Sequence, residues 1–279
     1  LKEVPMKRLR WAKVSFTGAL ALTVCLALPP VSAAEEARRR AHEVAGQEGG
    51  AADVDAEVGL GREVAARILG RYRLVGDATL ARYVELVGSG LARYSGRGEL
   101  TYHFAVLDTD GVNAYAAPGG YVFVTRGALS TMRDEAELAG VLAHEIGHIT
   151  QGHIVKELHV RGWEGGASAG LARLLGGAGA SAQEAFGQAV DGALEVLFEK
   201  GYKIEDELEA DRAGMLLLAT VGYDPTSIDR YLARATTSDA NHPSLQERRS
   251  RLQELAAGLG LTSLHTTLEE RFAKHVKTR

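Results

Sequence analysis

The chain has 279 residues, a formal net charge of −4, 46% hydrophobic and 24% charged residues. That suffices for one sizeable globular domain with additions. With no basic stripe interleaved with aromatics, it excludes a nucleic-acid binder. The only cysteine, Cys25, falls in an N-terminal apolar run, so a chain that sheds that run has neither disulfides nor thiol chemistry.

Residues 1–33 read as a cleaved secretory signal. The basic stretch MKRLRWAK (6–13) precedes the apolar VSFTGALALTVCLAL (14–28), and Val31, Ser32 and Ala33 form a small-residue cleavage region. The apolar run is about 15 residues, short of the roughly 20 that a spanning helix needs. Five of the Lys/Arg and one of the acids lie in this segment, so the mature chain is near −8. It is expected to carry no polybasic membrane patch and no integral membrane segment.

Residues 34–52 read as a flexible leader, 53–260 as the main domain and 261–279 as a C-terminal tail. Apolar residues at helical spacing predict helices over 53–69 and 77–95, the second with Leu80, Val84, Leu86, Val87 and Leu91 on or near one face. LTYHFAVLD (100–108) predicts a strand on which His103 is structural. AYAAPGGYVFVTRG (114–127) predicts two extended pieces about a turn containing Gly119 and Gly120. Asp134 and Glu137 form a capping-box pattern before the helix LAGVLAHEIGHITQGHIVKEL (138–158). Residues 162–192, rich in Gly, Ala and Ser, are expected as a mobile flap over the cleft or a loosely packed helical hairpin. A helix over 202–222 ends at Gly222, and 241–260 reads as a loop leading into a helix.

The chemistry concentrates in VLAHEIGHITQGH (141–153). His144 and His148 are one helical turn apart, so both imidazoles project from one face, a geometry that suits two positions of a tetrahedral zinc ion. Glu145 is turned about 100° from His144, poorly placed to ligate and well placed to reach a water activated by the metal. Burying two histidines and a glutamate among Leu138, Val141, Leu142 and Ile149 is costly without a purpose. His153 and His159 fall off the ligand face and are expected at the surface.

A third protein ligand is still required. Glu207 and Asp211 share one face of the 202–222 helix, while Glu209 is turned about 200° from Glu207. Glu207 then suits ligation, and Asp211 suits support of a ligand histidine through its other ring nitrogen. A solvated acidic helix face is the competing reading of the same run. Tyr202 and Tyr223 are candidate donors to a reaction oxyanion, and spacing does not separate them.

HEIGH (144–148) followed some 60 residues later by ELEAD (207–211) resembles the zinc metallopeptidase family that includes the heat-shock protease HtpX, the CAAX prenyl proteases and periplasmic BepA. NAYAAPGGYVFVTRGAL (113–129) and HPSLQERRSRL (242–252) resemble two further family segments, and the likeness runs from about Asp53 to Leu255. It implies one zinc ion per chain on His144, His148 and Glu207, with Glu145 as general base and Asp211 behind the ligands. It implies that an edge strand through Asn113, Ala114, Tyr115 and Ala116 holds extended substrate, and that His242 and Arg248 are, with Glu145, catalytic residues of the active site. His242 would there either donate to the oxyanion or occupy the open zinc position. The spanning helices of HtpX and the prenyl proteases, and the helical repeats of BepA, have no match in this sequence, so substrate choices tied to them do not transfer.

The expected fold is α+β: a mostly helical zincin-like domain with a small mixed sheet beside the active-site helix. The expected activity is zinc-dependent endopeptidase action in the cell envelope, in an exported and periplasmic location, on unfolded or misassembled polypeptides. A chaperone or assembly factor that keeps the zinc site with little proteolysis is the alternative.

Overall fold

A computed structural model describes residues 51–158, 180–234, 245–262 and 267–276. The signal, most of the leader, His159, the Gly-rich segment up to residue 179, the loop carrying His242, and His265 lie outside the described residues. The elements in chain order are α1 (Ala51–Arg71), α2 (Ala78–Ala92), β1 (His103–Leu107), β2 (Ala114–Ala117), β3 (Tyr121–Thr125), α3 (Arg126–Thr131), α4 (Glu135–Gln151) and α5 (His153–Glu157). Then come α6 (Ala180–Glu195), extended by a π turn over Val196–Lys200, α7 (Ile204–Val221), α8 (Ser227–Leu232), α9 (Leu245–Gly258) and α10 (Glu269–His275). The molecule is α+β, mostly helical with one small mixed sheet. None of the described helices is long and apolar enough to cross a membrane.

The sheet has the order β1-β3-β2, with β1 parallel and β2 antiparallel to β3. Tyr115 pairs with Phe123 and Ala116 with Val122, which leaves β2 at the edge. The β2–β3 turn requires glycine: Gly119 and Gly120 have φ of 71° and 101°, in the left-handed region. A Cβ on Gly119 would lie 2.6 Å from the Val58 Cα. Glu57 of α1 accepts from the Gly119 N–H at 3.0 Å, and Arg97 donates to Glu57 at 2.8 Å and to the Ile149 carbonyl at 3.4 Å. One buried ion pair therefore ties α1, this turn and the end of α4 together.

Helix α4 starts as its sequence predicts. The Asp134 side chain accepts from the Glu137 N–H at 2.9 Å, and Glu137 reaches back to the Arg133 N–H at 2.9 Å. It stops at Gly152, whose φ of 66° makes it the left-handed C-cap. Every residue from Glu135 to Ile149 is buried, because the sheet, α2, α7 and α8 surround the helix. The crossing with α7 is close, since a Cβ on Gly147 would lie 2.8 Å from the Ala210 carbonyl oxygen and one on Gly214 3.0 Å from the His144 nitrogen. Gly147→Ala is therefore expected to destabilise the fold by about 1–3 kcal/mol, measured by denaturant unfolding. An unchanged midpoint would mean that the two helices slide apart freely.

Two apolar clusters flank the sheet. Leu60, Val64 and Ile68 of α1 meet Leu107, Phe123, Val190 and Ala193, so residues 180–192 of the Gly-rich stretch enter as part of α6, packed on α1. On the other side, Tyr83, Val84, Val87 and Leu91 of α2 meet α4, α7 and the C-terminal residues Phe272 and Val276. Leu86 is not part of this face: it is 56% exposed, and Tyr83 takes the buried position because α10 covers it.

The α10 helix is clasped to the start of α4. Glu135 is fully buried and accepts from the hydroxyls of Tyr83 and Tyr223 and from Arg271. Burial alone would raise its carboxyl, but these hydrogen bonds outweigh that and hold it below the ordinary glutamate range. A depressed folded pKa contributes stability above the unfolded value of about 4.3 and loses it as pH falls through the folded one. The wild-type unfolding midpoint is thus expected to fall more steeply with acidification below about pH 4.3 than that of Glu135→Gln. Parallel profiles would mean that the carboxylate contributes nothing.

Candidate active site

His144 and His148 stand one turn apart on α4, with their Nε2 atoms 3.1 Å from each other. Glu207, in the first turn of α7, lies opposite: its carboxylate oxygens are 3.6 Å from the Nε2 of His144 and 3.6 Å from that of His148. All three side chains are buried, and among the described residues their donor atoms converge within 4.8 Å of one another. Two nitrogens bound tetrahedrally at the usual Zn–N length would be about 3.3 Å apart. The pair already stands near that spacing, and two imidazoles with a carboxylate are a familiar zinc donor set. The residues fit the ion.

Each imidazole is held by its other nitrogen. The Nδ1 of His144 lies 2.9 Å from Asp211 Oδ1, and the Nδ1 of His148 lies 2.8 Å from the Nδ1 of His153. Both Nε2 atoms are therefore turned inward. Arg248, buried on α9, donates to both oxygens of Asp211 at 2.9 and 2.7 Å and lies 3.0 Å from Glu207. Burial by itself would raise the Asp211 carboxyl, but the Arg248 charge and the hydrogen bonds from Arg248 and His144 hold it well below the ordinary carboxylate range.

Glu145 is buried on α4 between the two histidines in sequence. Glu209 faces away from the centre and is 53% exposed. Asn113 precedes the edge strand; its carbonyl accepts from the Thr125 N–H at 3.0 Å, and its side chain accepts from the Ala114 N–H at 2.8 Å. Ala116 of that strand shares a cavity of about 10 Å³ with Glu57, Pro118, His148 and Tyr202, room for about one water molecule. Edge strand and metal-side helix thus face a common space.

One residue is not where the sequence placed it, and two others gain a distinction it lacked. His153 is fully buried against His148, not at the surface. The left-handed Gly152 breaks the helix, so the α4 phase does not extend to the next residue; a glycine at that spot was the signal that the phase had to be reset. Burial pushes the His153 imidazole down to about 4. Tyr202 and Tyr223 now separate. Tyr223 is tied to Glu135 at the far end of α4, whereas the Tyr202 ring stacks on His148 at 3.8 Å with its hydroxyl shielded and, among the described residues, lacking a hydrogen-bond partner.

A mostly helical domain that sets two histidines of one helix against a glutamate of a second, beside a small mixed sheet, is of the zincin class of metallopeptidases. The chain belongs to Peptidase family M48, which matches residues 78–256. It is 28% identical over 202 residues to the beta-barrel assembly-enhancing protease of Yersinia pestis, covering 67% of this chain and 39% of that protein. It is 25% identical over 194 residues to the protein of the same name in Escherichia coli K12, with 67% and 39% covered. A mitochondrial metalloendopeptidase OMA1 of Arabidopsis thaliana is 29% identical over 126 residues, 45% of this chain and 24% of that protein. The chain thus spans less than half the length of these curated relatives.

Proposed function

We propose that this chain is a zinc-dependent endopeptidase of the cell envelope that hydrolyses unfolded or misassembled polypeptides. The observation that carries the reading is the convergence of His144, His148 and Glu207, with Glu145 on the same helix and the β2 edge across a shared cavity. Zinc, when bound, supplies the Lewis acidity that polarises the scissile carbonyl and makes water a nucleophile near neutral pH. Glu145 takes the proton of the attacking water and passes it to the leaving amine. The edge strand β2, from Asn113 to Ala116, pairs with an extended substrate. Asp211 and Arg248 hold the His144 ring and the Glu207 carboxylate in place. The leader pattern of residues 6–33 supports export to the periplasm, and relatives named as beta-barrel assembly-enhancing proteases support a role there in protein assembly and quality control.

The test is cleavage of unfolded casein by the purified protein, with and without a chelator. Chelator-sensitive cleavage restored by zinc is expected. Binding of casein without cleavage would replace the protease by a chaperone. The ligand set is tested separately by metal analysis. Glu207→Gln removes the anionic ligand and is expected to strip most of the zinc, whereas Glu209→Gln keeps it at about one ion per chain. Retention by the first and loss by the second would exchange their roles.

A further inference from the structure

The contacts behind His148 form a chain that ends on a solvent-facing carboxylate. His153 Nδ1 lies 2.8 Å from His148 Nδ1, and His153 Nε2 lies 3.3 Å from Glu209 Oε2. Asp206 is the next acid at 3.8 Å from the same nitrogen, and the Lys156 ammonium is 3.6 Å from Glu209. His153 follows the Gly152 cap at the start of α5, and Glu209 comes from α7. The chain therefore stitches together the helix after the first two ligands and the helix carrying the third.

Counting protons decides its direction. Two ring nitrogens at 2.8 Å share one hydrogen. If neutral His148 carried its proton on Nε2, its bare Nδ1 would accept from His153 Nδ1–H. The bare Nε2 of His153 would then face the Glu209 carboxylate, acceptor against acceptor. With the proton of His148 on Nδ1, His153 accepts at Nδ1 and donates from Nε2 to Glu209, so both contacts of His153 are favourable, and the bare Nε2 atoms of His148 and His144, 3.1 Å apart, face the space that a bound cation would fill. Only this second arrangement leaves the His148 Nε2 lone pair turned toward His144 and Glu207.

We infer that His153 is a positioning residue that, together with Glu209, selects the metal-binding tautomer of His148. Asp211 does the same for His144 by direct contact, while His148 receives its carboxylate through an intervening imidazole. Glu209 thereby acts on the metal centre from outside, without being a ligand. The inference rests on the proposed metal centre.

The test is zinc affinity, measured by competition with a chromophoric chelator on the purified chain. His153→Leu fills the space but leaves the His148 N–H without an acceptor, and is expected to weaken zinc binding by about 10–100-fold. His153→Gln, whose amide oxygen accepts and whose NH2 donates, is expected to stay within several-fold of wild type. That rescue separates a tautomer effect from simple packing. Nitrogen-15 spectra of the zinc-loaded wild type are expected to place protons on His148 Nδ1 and His153 Nε2. Should His153→Leu not fold, Glu209→Ala at the exposed end serves instead, with a several-fold loss expected while the ion stays bound. Wild-type affinity in the folded His153→Leu, or in Glu209→Ala when it stands in, overturns the inference, as does a proton on His153 Nδ1. A wild type that binds no zinc defeats the metal-centre reading itself, so the two failures are distinguishable.

Discussion

Glu145→Gln is expected to retain about one zinc ion per chain while peptide turnover falls by at least 10²–10⁴-fold, the range typical of a lost general base. Glu145 sits on the same buried helix as both histidines but is turned about 100° from His144, a phase that suits reaching a water activated by the metal and not ligation. The amide of glutamine has nearly the same shape and cannot take a proton from water. Turnover of an internally quenched peptide, with metal content measured on the same preparation, checks both halves. If zinc is lost with activity, Glu145 is a ligand and the three-residue set on His144, His148 and Glu207 must be redrawn. If activity survives with zinc bound, another group moves the proton; Tyr202 is then the candidate to examine, because its shielded hydroxyl is held beside His148.

The parts of this centre that follow a regular period were legible in the amino-acid sequence. His144 and His148 repeat at one turn, Asp134 and Glu137 mark the helix start, and Glu207 and Asp211 share a face while Glu209 does not. Inside a helix the phase of each side chain is fixed by 3.6 residues per turn, and α4 and α7 obey it. What escaped depended on breaks in that period or on contacts between distant segments. Gly152 resets the direction of the chain, which hid His153. Gly147 and Gly214 look like weak helix formers until the α4–α7 crossing shows that a Cβ would collide with the opposing backbone. Leu86 lies about 130° from the middle of the α2 face set by Leu80, Val84, Val87 and Leu91, and Tyr83 about 70° from it, so the helical period already favours Tyr83. The return of α10, from a tail with no evident periodic signal, is what covers that flank of the face.

Arg248→Met is expected to cost about 3–5 kcal/mol of stability in the zinc-free protein, the range seen when one partner of a buried ion pair is removed. Arg248 is buried and faces two buried carboxylates, Asp211 at 2.7 Å and Glu207 at 3.0 Å. Methionine replaces its stem with apolar volume but leaves both acids without their cation. Bound zinc neutralises part of the Glu207 load, so the loss should shrink when the ion is present. Arg248→Lys should fall between the two, because an ammonium supplies the charge but not the planar fork that engages both oxygens of Asp211. Denaturant unfolding of the three proteins, each with and without zinc, measures all of this. An Arg248→Met protein as stable as wild type without metal would mean that Asp211 and Glu207 become protonated there at little cost. A loss that does not change on adding zinc would mean that the ion and the guanidinium do not share the Glu207 carboxylate.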